Sequence, residues 1–299
     1  MIYTVTLNPA LDYVIQVDHF KAGTINRNKS EHIYYGGKGI NVSCILNELS
    51  FKSTALGFIA GFTGKALSDG LKEMGIVSDF ITVKEGMTRI NVKMKSDEET
   101  EINGTGPMIT EEDFELLKGK IRKLEKGDIL VLSGSIPSCM KSDTYEILAE
   151  CMNPDVLLVA DAEKDLLLKI LKYKPFLIKP NNHELAAMFD TVISSDEEII
   201  FYAKKLQEKG ARNVLVSMAK DGAILVDENG NVSKMGVAKG TVVNSVGAGD
   251  SMVAGFLAGW LKTGDYAYAL KLGTACGGAT AFHSGLAKLS EIEDVFAAL

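Results

Sequence analysis

Residues 129–160 read ILVLSGSIPSCMKSDTYEILAECMNPDVLLVA. Ile129–Leu132 and Val156–Ala160 are short runs without a polar residue, and the helical pattern of 141–152 lies between them. Strands this uniformly apolar belong in a parallel sheet buried on both faces, because crossover helices cover each side. The unit recurs downstream. Phe176–Ile178 and Val214–Ser217 are further strands, separated by helical segments at 184–189 and 197–209.

Toward the N-terminus, Ile2–Leu7 alternates as a strand and stops at Asn8-Pro9. Ile40, Cys44, Leu46 and Leu49 recur at helical spacing, Ser53–Ile59 is a buried strand, and Gly64–Met74 is a helix closed by Gly75. Thr110 and Asp113 start another helix, whose buried face is Phe114, Leu117, Ile121 and Leu124. A β segment at 223–243 precedes two apolar helices, 249–262 and 265–282. Two stretches break this rhythm. Residues 12–35 and 88–105 are β-rich but polar, with a hairpin turn at Asp97–Glu99. They are expected to form one small sheet covering the C-terminal crevice of the main sheet, inside a single domain spanning 1–299.

The chain has 299 residues, with 32 Lys and Arg against 39 Asp and Glu, a formal charge of -7. That balance gives no support to a nucleic-acid surface, which requires a basic footprint. Cys44, Cys139, Cys151 and Cys276 contain no CxxC pair, so neither zinc nor a disulfide framework is indicated. No run approaches the ~20 apolar residues that span a bilayer, and the expected compartment is the cytoplasm.

The strongest chemical signal is VNSVGAGDSMVAGF, residues 243–256. Small residues at Gly247, Ala248 and Gly249 let backbone N–H groups approach an anion, and the helix that follows adds a favourable dipole. Asp250 is either the cap of that helix or a base that accepts a hydroxyl proton during phosphoryl transfer. A second cluster, Gly36-Gly37-Lys38-Gly39 with Asn41, brings backbone and one cation to a polar ligand. It lacks the GxxxxGK[ST] spacing of a P-loop. Asp12 and Asn41 can meet sugar hydroxyls; Arg89 and Arg27 can meet a phosphate. Ser133 and Lys179 follow strands, where open α/β sheets bind ligands. Asn181 and Glu184 share one face of a helix start, as a cap or as partners of magnesium-bound water. Ser217-Met218-Ala219-Lys220-Asp221-Gly222 is a turn able to meet nucleotide phosphates or ribose.

Together these residues resemble the PfkB, or ribokinase-like, family of carbohydrate kinases, over essentially the whole chain. The resemblance rests on Gly36–Gly39 with Asn41 and on Val246-Gly247-Ala248-Gly249-Asp250-Ser251, in the family's order and separation. It implies a three-layer α/β/α sandwich with a small β-sheet lid, and homodimers that pair lid to lid. It implies ATP and Mg2+ as cofactors, Asp250 as general base, Gly247–Gly249 as anion hole, and Asn181 and Glu184 toward Mg2+. Ser217–Gly222 and Gly249 would contact ATP, with Ala275, Gly278 and Phe282 on the adenine-facing helix. Asn8–Asp12 and Thr88–Lys93 resemble the phosphosugar branch, in which Asp12, Gly37, Lys38, Asn41 and Arg89, with Ser133 nearby, hold the sugar. Within that branch the expected substrate is fructose 1-phosphate, phosphorylated at the 6-hydroxyl; tagatose 6-phosphate and fructose 6-phosphate are the alternatives. Tyr35 departs from the branch, where a small residue is common. A silent sensor on this fold would bind without turnover, and the intact GAGD segment favours an enzyme. A Rossmann dehydrogenase is disfavoured because no GxGxxG follows the first strand.

Overall fold

The computed structural model describes residues 1–162 and 164–299. The main sheet contains β1 (Ile2–Thr6), β4 (Ser53–Ala60), β5 (Val77–Ser78), β6 (Ile81–Val83) and β9 (Ile129–Ser133). It continues with β10 (Leu157–Asp161), β11 (Leu177–Ile178), β12 (Asn213–Ser217), β13 (Ala223–Val226) and β14 (Val232–Met235). Their order is β14-β13-β12-β11-β10-β9-β1-β4-β5, with β6 paired to β4. All pairings from β12 to β5 are parallel, whereas β12–β13 and β13–β14 are antiparallel. The sheet is therefore mixed, with an antiparallel edge joined by short turns that no crossover helix could provide.

Alternate side chains of each strand enter opposite layers. Leu130 and Leu132 of β9 join one core, with Val214 and Val216 of β12, under α3 (Glu111–Ile121), α4 (Thr144–Cys151), α5 (Lys164–Ile170), α6 (Asn182–Met188) and α7 (Asp196–Glu208). Ile129, Val131 and Leu215 enter the other, beneath α1 (Lys38–Glu48), α8 (Ala248–Thr263), α9 (Tyr266–Ala281) and α10 (Leu289–Ala298). This is the three-layer sandwich. α2 (Gly61–Glu73) packs with α1 over a third, smaller cluster that includes Leu11, Ile40, Leu67 and Leu71.

The two polar β stretches form a separate four-stranded sheet, in the order β3 (Ser30–Gly36), β2 (Ala10–Gln16), β7 (Arg89–Lys95), β8 (Thr100–Asn103). β2 and β7 run parallel, so both chain segments leave the main sheet side by side. Three expectations need correction. Strand structure in 223–243 ends at Met235, and the stretch leading into α8 carries no strand among the described residues. α5 and α10 were not legible from the pattern. Helix 141–152 begins only at Thr144, because Lys141–Asp143 are used in a turn, with Thr144 donating to the Lys141 carbonyl.

α8 holds the fold at its most polar point, since its buried run extends from Asp250 to Gly259. Phe256 is fully buried there, its ring centroid 6.4 Å from that of Tyr266. Phe256→Ala is expected to cost about 3–5 kcal/mol through lost burial and a residual cavity. In a urea titration the midpoint should fall while the slope stays near native.

Candidate active site

The parallel strands deliver their last residues to one edge. β9 ends on Ser133 and β10 on Asp161, which are directly paired in register. Lys179 and Asn181 lie just beyond β11, and Asn181 bridges to Ser217 at the end of β12. These residues, with Gly37 just before α1, Lys38 and Asn41 on it, Gly247 just before α8, and Gly249 and Asp250 on it, line a crevice of about 520 Å³.

Asp161 is the centre of charge. It is almost fully buried, with Lys179 Nζ 3.4 Å from Oδ1 and Lys38 Nζ 3.6 Å from Oδ2. Burial resists its charge, but Lys179 and then Lys38 hold its carboxyl below the ordinary range. Burial likewise works against Lys38, yet Asp161, Asp250 and Glu184 raise its pKa overall. Lys179 also stands at the start of α8: a Cβ at Gly249 would lie 3.0 Å from its Nζ. A cation at a helix N-terminus opposes the helix dipole. Two ammonium groups, one compensating carboxylate and that dipole together make a place for a further anion.

Asp250 has the opposite environment. Burial first, and the Asp161 carboxylate second, raise its pKa to about 7. Lys38, the Asn41 side chain and Lys179 act against this rise. Asn41 Nδ2 donates to Asp250 Oδ2 at 2.8 Å. Retaining a proton to about pH 7 corresponds to on the order of 4 kcal/mol relative to an ordinary carboxyl. Burial and like charge therefore prevail. A carboxylate poised near neutrality suits a general base.

Gly247 precedes α8 in the left-handed region, with φ 83°, which glycine accepts without a Cβ penalty. Ser251 Oγ donates to the Gly247 carbonyl at 2.8 Å and meets Thr280 Oγ1 at 2.8 Å, so the turn is tied to α9. The expected anion hole needs one amendment. Ala248 donates its N–H back to Ser245 (3.2 Å), which leaves the first-turn groups of Gly249 and Asp250 as the helix donors without a helical acceptor.

Across the crevice, the lid presents Asp12 and Arg89. Asn91 Nδ2 donates to Asp12 Oδ1 at 2.8 Å, and Lys93 Nζ lies 3.6 Å from Oδ2. Arg89 is half-buried and uses Nε on the Asn8 carbonyl at 3.1 Å. Its remaining N–H groups are the fork that suits a phosphate. Gly37, with φ 136°, approaches Thr6 so closely that a Cβ would fall 2.5 Å from Cγ2.

Several expected residues lie elsewhere. Arg27 is exposed in the loop between β2 and β3 and does not line the crevice. Ala219, Lys220 and Asp221 form an exposed turn, Met218 is buried beside it, and Gly222 is also outside the crevice lining. Ala275 is fully buried within α9, and neither it nor Gly278 reaches the crevice lining. Asn181 and Glu184 line it but also form a reciprocal cap, each accepting the other's backbone N–H at 2.8 Å. Both open readings of this pair are thus compatible. Asp161 was missed. The available signal was an acidic residue ending the apolar run VLLVA. Asn91 and Lys93 were missed as partners of Asp12, because cross-strand pairing is invisible until β2 and β7 are aligned.

A polar crevice at the sheet's C-terminal edge, with paired lysines and a carboxyl raised to about 7 at a helix start, has the groups that an anion-transfer site requires. The model of the pfkB family carbohydrate kinases matches residues 5–293, and the chain belongs to that family. It is 51% identical over 287 residues to a 1-phosphofructokinase of Bacillus subtilis, covering 96% of this chain and 94% of the relative. It is 40% identical over 295 residues to a D-tagatose-1-phosphate kinase of Bacillus licheniformis, covering 98% and 96%. Phosphofructokinase-2 of Escherichia coli, solved with substrates and products, superposes with a TM-score of 0.92 at 25% identity, covering 99% and 98%.

The chain is accordingly a kinase of the PfkB type, and a pH profile tests whether Asp250 is its base. A base works only when deprotonated, so kcat should rise with pH through about 7. Asp250→Asn should lower kcat at least ~100-fold with ATP binding largely retained. In Asp161→Asn the second negative charge is gone, so the acidic limb of a kcat–pH profile should move to lower pH. An unchanged limb would mean that another group sets it.

Proposed function

We propose that this enzyme transfers the γ-phosphoryl group of ATP to the 6-hydroxyl of fructose 1-phosphate, giving fructose 1,6-bisphosphate and ADP. The observation that carries this reading is Asp250, a buried carboxyl brought to about 7, in one crevice with Lys38, Lys179 and the lid's Arg89. The hydroxyl proton passes to the Asp250 carboxylate as the substrate oxygen bonds to the γ-phosphorus and the bond to ADP breaks. Lys38, Lys179 and the Gly249 N–H balance the charge carried by the transferring group. Arg89 receives the sugar's phosphate and Asp12 its hydroxyls. Gly37 allows close approach, and Ser133 Oγ, buried with no hydrogen-bond partner, is free for a ligand.

Mg2+ belongs to the same reading. One carboxylate and one amide, Glu184 and Asn181, suit an ion that keeps most of its water. No group of three or more His, Cys, Asp or Glu side chains suited to a metal occurs among the described residues. The ion, when bound, supplies neutralisation of phosphate charge. The pairing of two lids is supported by large apolar side chains exposed on them: Ile33 and Tyr34 on β3 and Ile102 on β8. No helix among the described residues is long and apolar enough to cross a membrane, and the cytoplasm remains the proposed compartment.

The tagatose-1-phosphate kinase relative supports a second substrate, D-tagatose 1-phosphate, which presents the same primary hydroxyl and phosphate. Initial rates with ATP and Mg2+ on both 1-phosphates, fructose 6-phosphate and tagatose 6-phosphate should give the highest kcat/KM for fructose 1-phosphate. EDTA should abolish turnover. A preference for any other sugar phosphate would displace the assignment.

A further inference from the structure

Tyr35 and Gly70 form a contact that the chemistry above does not use. Gly70 lies in the third turn of α2 and is buried. A Cβ placed on it would fall 1.9 Å from Tyr35 Cζ, 2.2 Å from the hydroxyl oxygen and 2.4 Å from Cε2. The Tyr35 ring therefore lies directly on the helix backbone, with its other contacts in the cluster of Leu11, Ile40, Leu67 and Leu71. Two turns earlier the same helix meets the lid's other root. A Cβ at Gly64 would come 2.9 Å from Thr88 Oγ1. Thr88 Oγ1 accepts the Ala60 N–H at 2.9 Å, and the Thr88 carbonyl accepts from Thr63 Oγ1 at 2.7 Å.

The roots matter because of what stands beside them. Tyr35 pairs with Leu11 and Gly36 with Ala10, while Ala10 also pairs with Arg89 of β7. A Cβ at Gly36 would fall 2.6 Å from Asp12 Oδ2. Any shift of Tyr35 is thus passed through one peptide to Gly36, Gly37 and the Asp12 carboxylate. Of the groups assigned above to the transferring phosphoryl, Lys179 lies beyond β11 and Gly249 and Asp250 lie on α8, outside this sheet, whereas Lys38 follows Gly37 directly.

We propose that the Tyr35 ring seated on Gly70 is a positioning device for the phosphosugar half of the site. It sets the height of the lid over the crevice, so that Asp12, Gly37 and Arg89 meet the sugar phosphate, while Lys179, Gly249 and Asp250 off this sheet keep their positions on the ATP side. Tyr35 is a positioning residue that touches no reacting atom. The inference rests on the lid holding the sugar phosphate, as read above.

Gly70→Ala is the direct test, since alanine is the better helix former and any loss must come from the ring it meets. The KM for fructose 1-phosphate should rise about 10-fold or more, because displacements near 1 Å carry penalties of this size, while the KM for ATP stays within about 2-fold. Adding Tyr35→Val should remove the overlap and bring the sugar KM back to within about 3-fold of native, a coupling that a double-mutant cycle reads. Amide exchange in Gly70→Ala should accelerate in β2, β3 and β7 and stay native in β9–β12, a measurement independent of turnover. No turnover by the native chain would sink the kinase substrate reading and leave the exchange result to decide the socket. Both KM values rising together, no rescue by Tyr35→Val, or unchanged lid exchange would overturn the proposal.

Discussion

Parallel pairing is the constraint on which the rest depends. When β1, β9, β10, β11 and β12 all run the same way, every strand ends at one edge, and each following residue starts a loop there. Ser133, Asp161, Lys179 and Ser217 are distant in sequence yet become neighbours for this reason alone. An antiparallel order would send alternate strand ends to the opposite edge and divide the site in two. The two antiparallel strands, β13 and β14, follow the last of these contributing residues.

Gathering such residues has an electrostatic consequence. Asp161 and Lys179 are each about 95% buried or more, and isolated charges there would be severely penalised. They are tolerated as a connected set, in which Asp161 serves two ammonium groups at once. Glu184 and Asp250 also act on Lys38, so the balance of charge in the crevice shifts with the protonation of Asp250. The lysines, the Arg89 fork and the first-turn N–H groups of α8 concentrate donors for an anion locally, within a chain whose overall charge is -7. Asp250 borders the same field but is governed by burial and by Asp161, so two carboxyls in one crevice are held on opposite sides of the ordinary range.

Much of the architecture was legible because apolar strands and GAGD-type helix starts are local signals. The lid was recognisable as two polar β stretches, and its joint sheet follows from the parallel pairing of β2 with β7. What stayed hidden was pairwise. Asp161 reads locally as the end of a strand, and only its register with Ser133 and its distance to Lys38 and Lys179 reveal the charge cluster. Asn41 reads as a sugar ligand, but its amide is directed to Asp250 across 209 residues of chain. α5 was lost for a different reason: Leu166, Leu167 and Leu168 in succession give a helix of 7 residues no distinct polar face.

In the reading proposed above, substrate choice falls to the lid more than to the charge cluster. Fructose 1-phosphate and D-tagatose 1-phosphate carry the same phosphate and the same accepting hydroxyl, differing in the configuration of one secondary hydroxyl. In that reading Lys38, Lys179 and Asp250 act on features the two sugars share and would not separate them. Asp12 would, because its two oxygens are already oriented by Asn91 and Lys93, which limits the directions from which a hydroxyl can donate. A hydroxyl of the wrong configuration would leave part of that half-buried acceptor unpaired, the kind of mismatch that discriminates far better than a change in apolar contact. Selectivity would then depend on how firmly β2 is held, and β2 is held on one side by the strand that carries Tyr35.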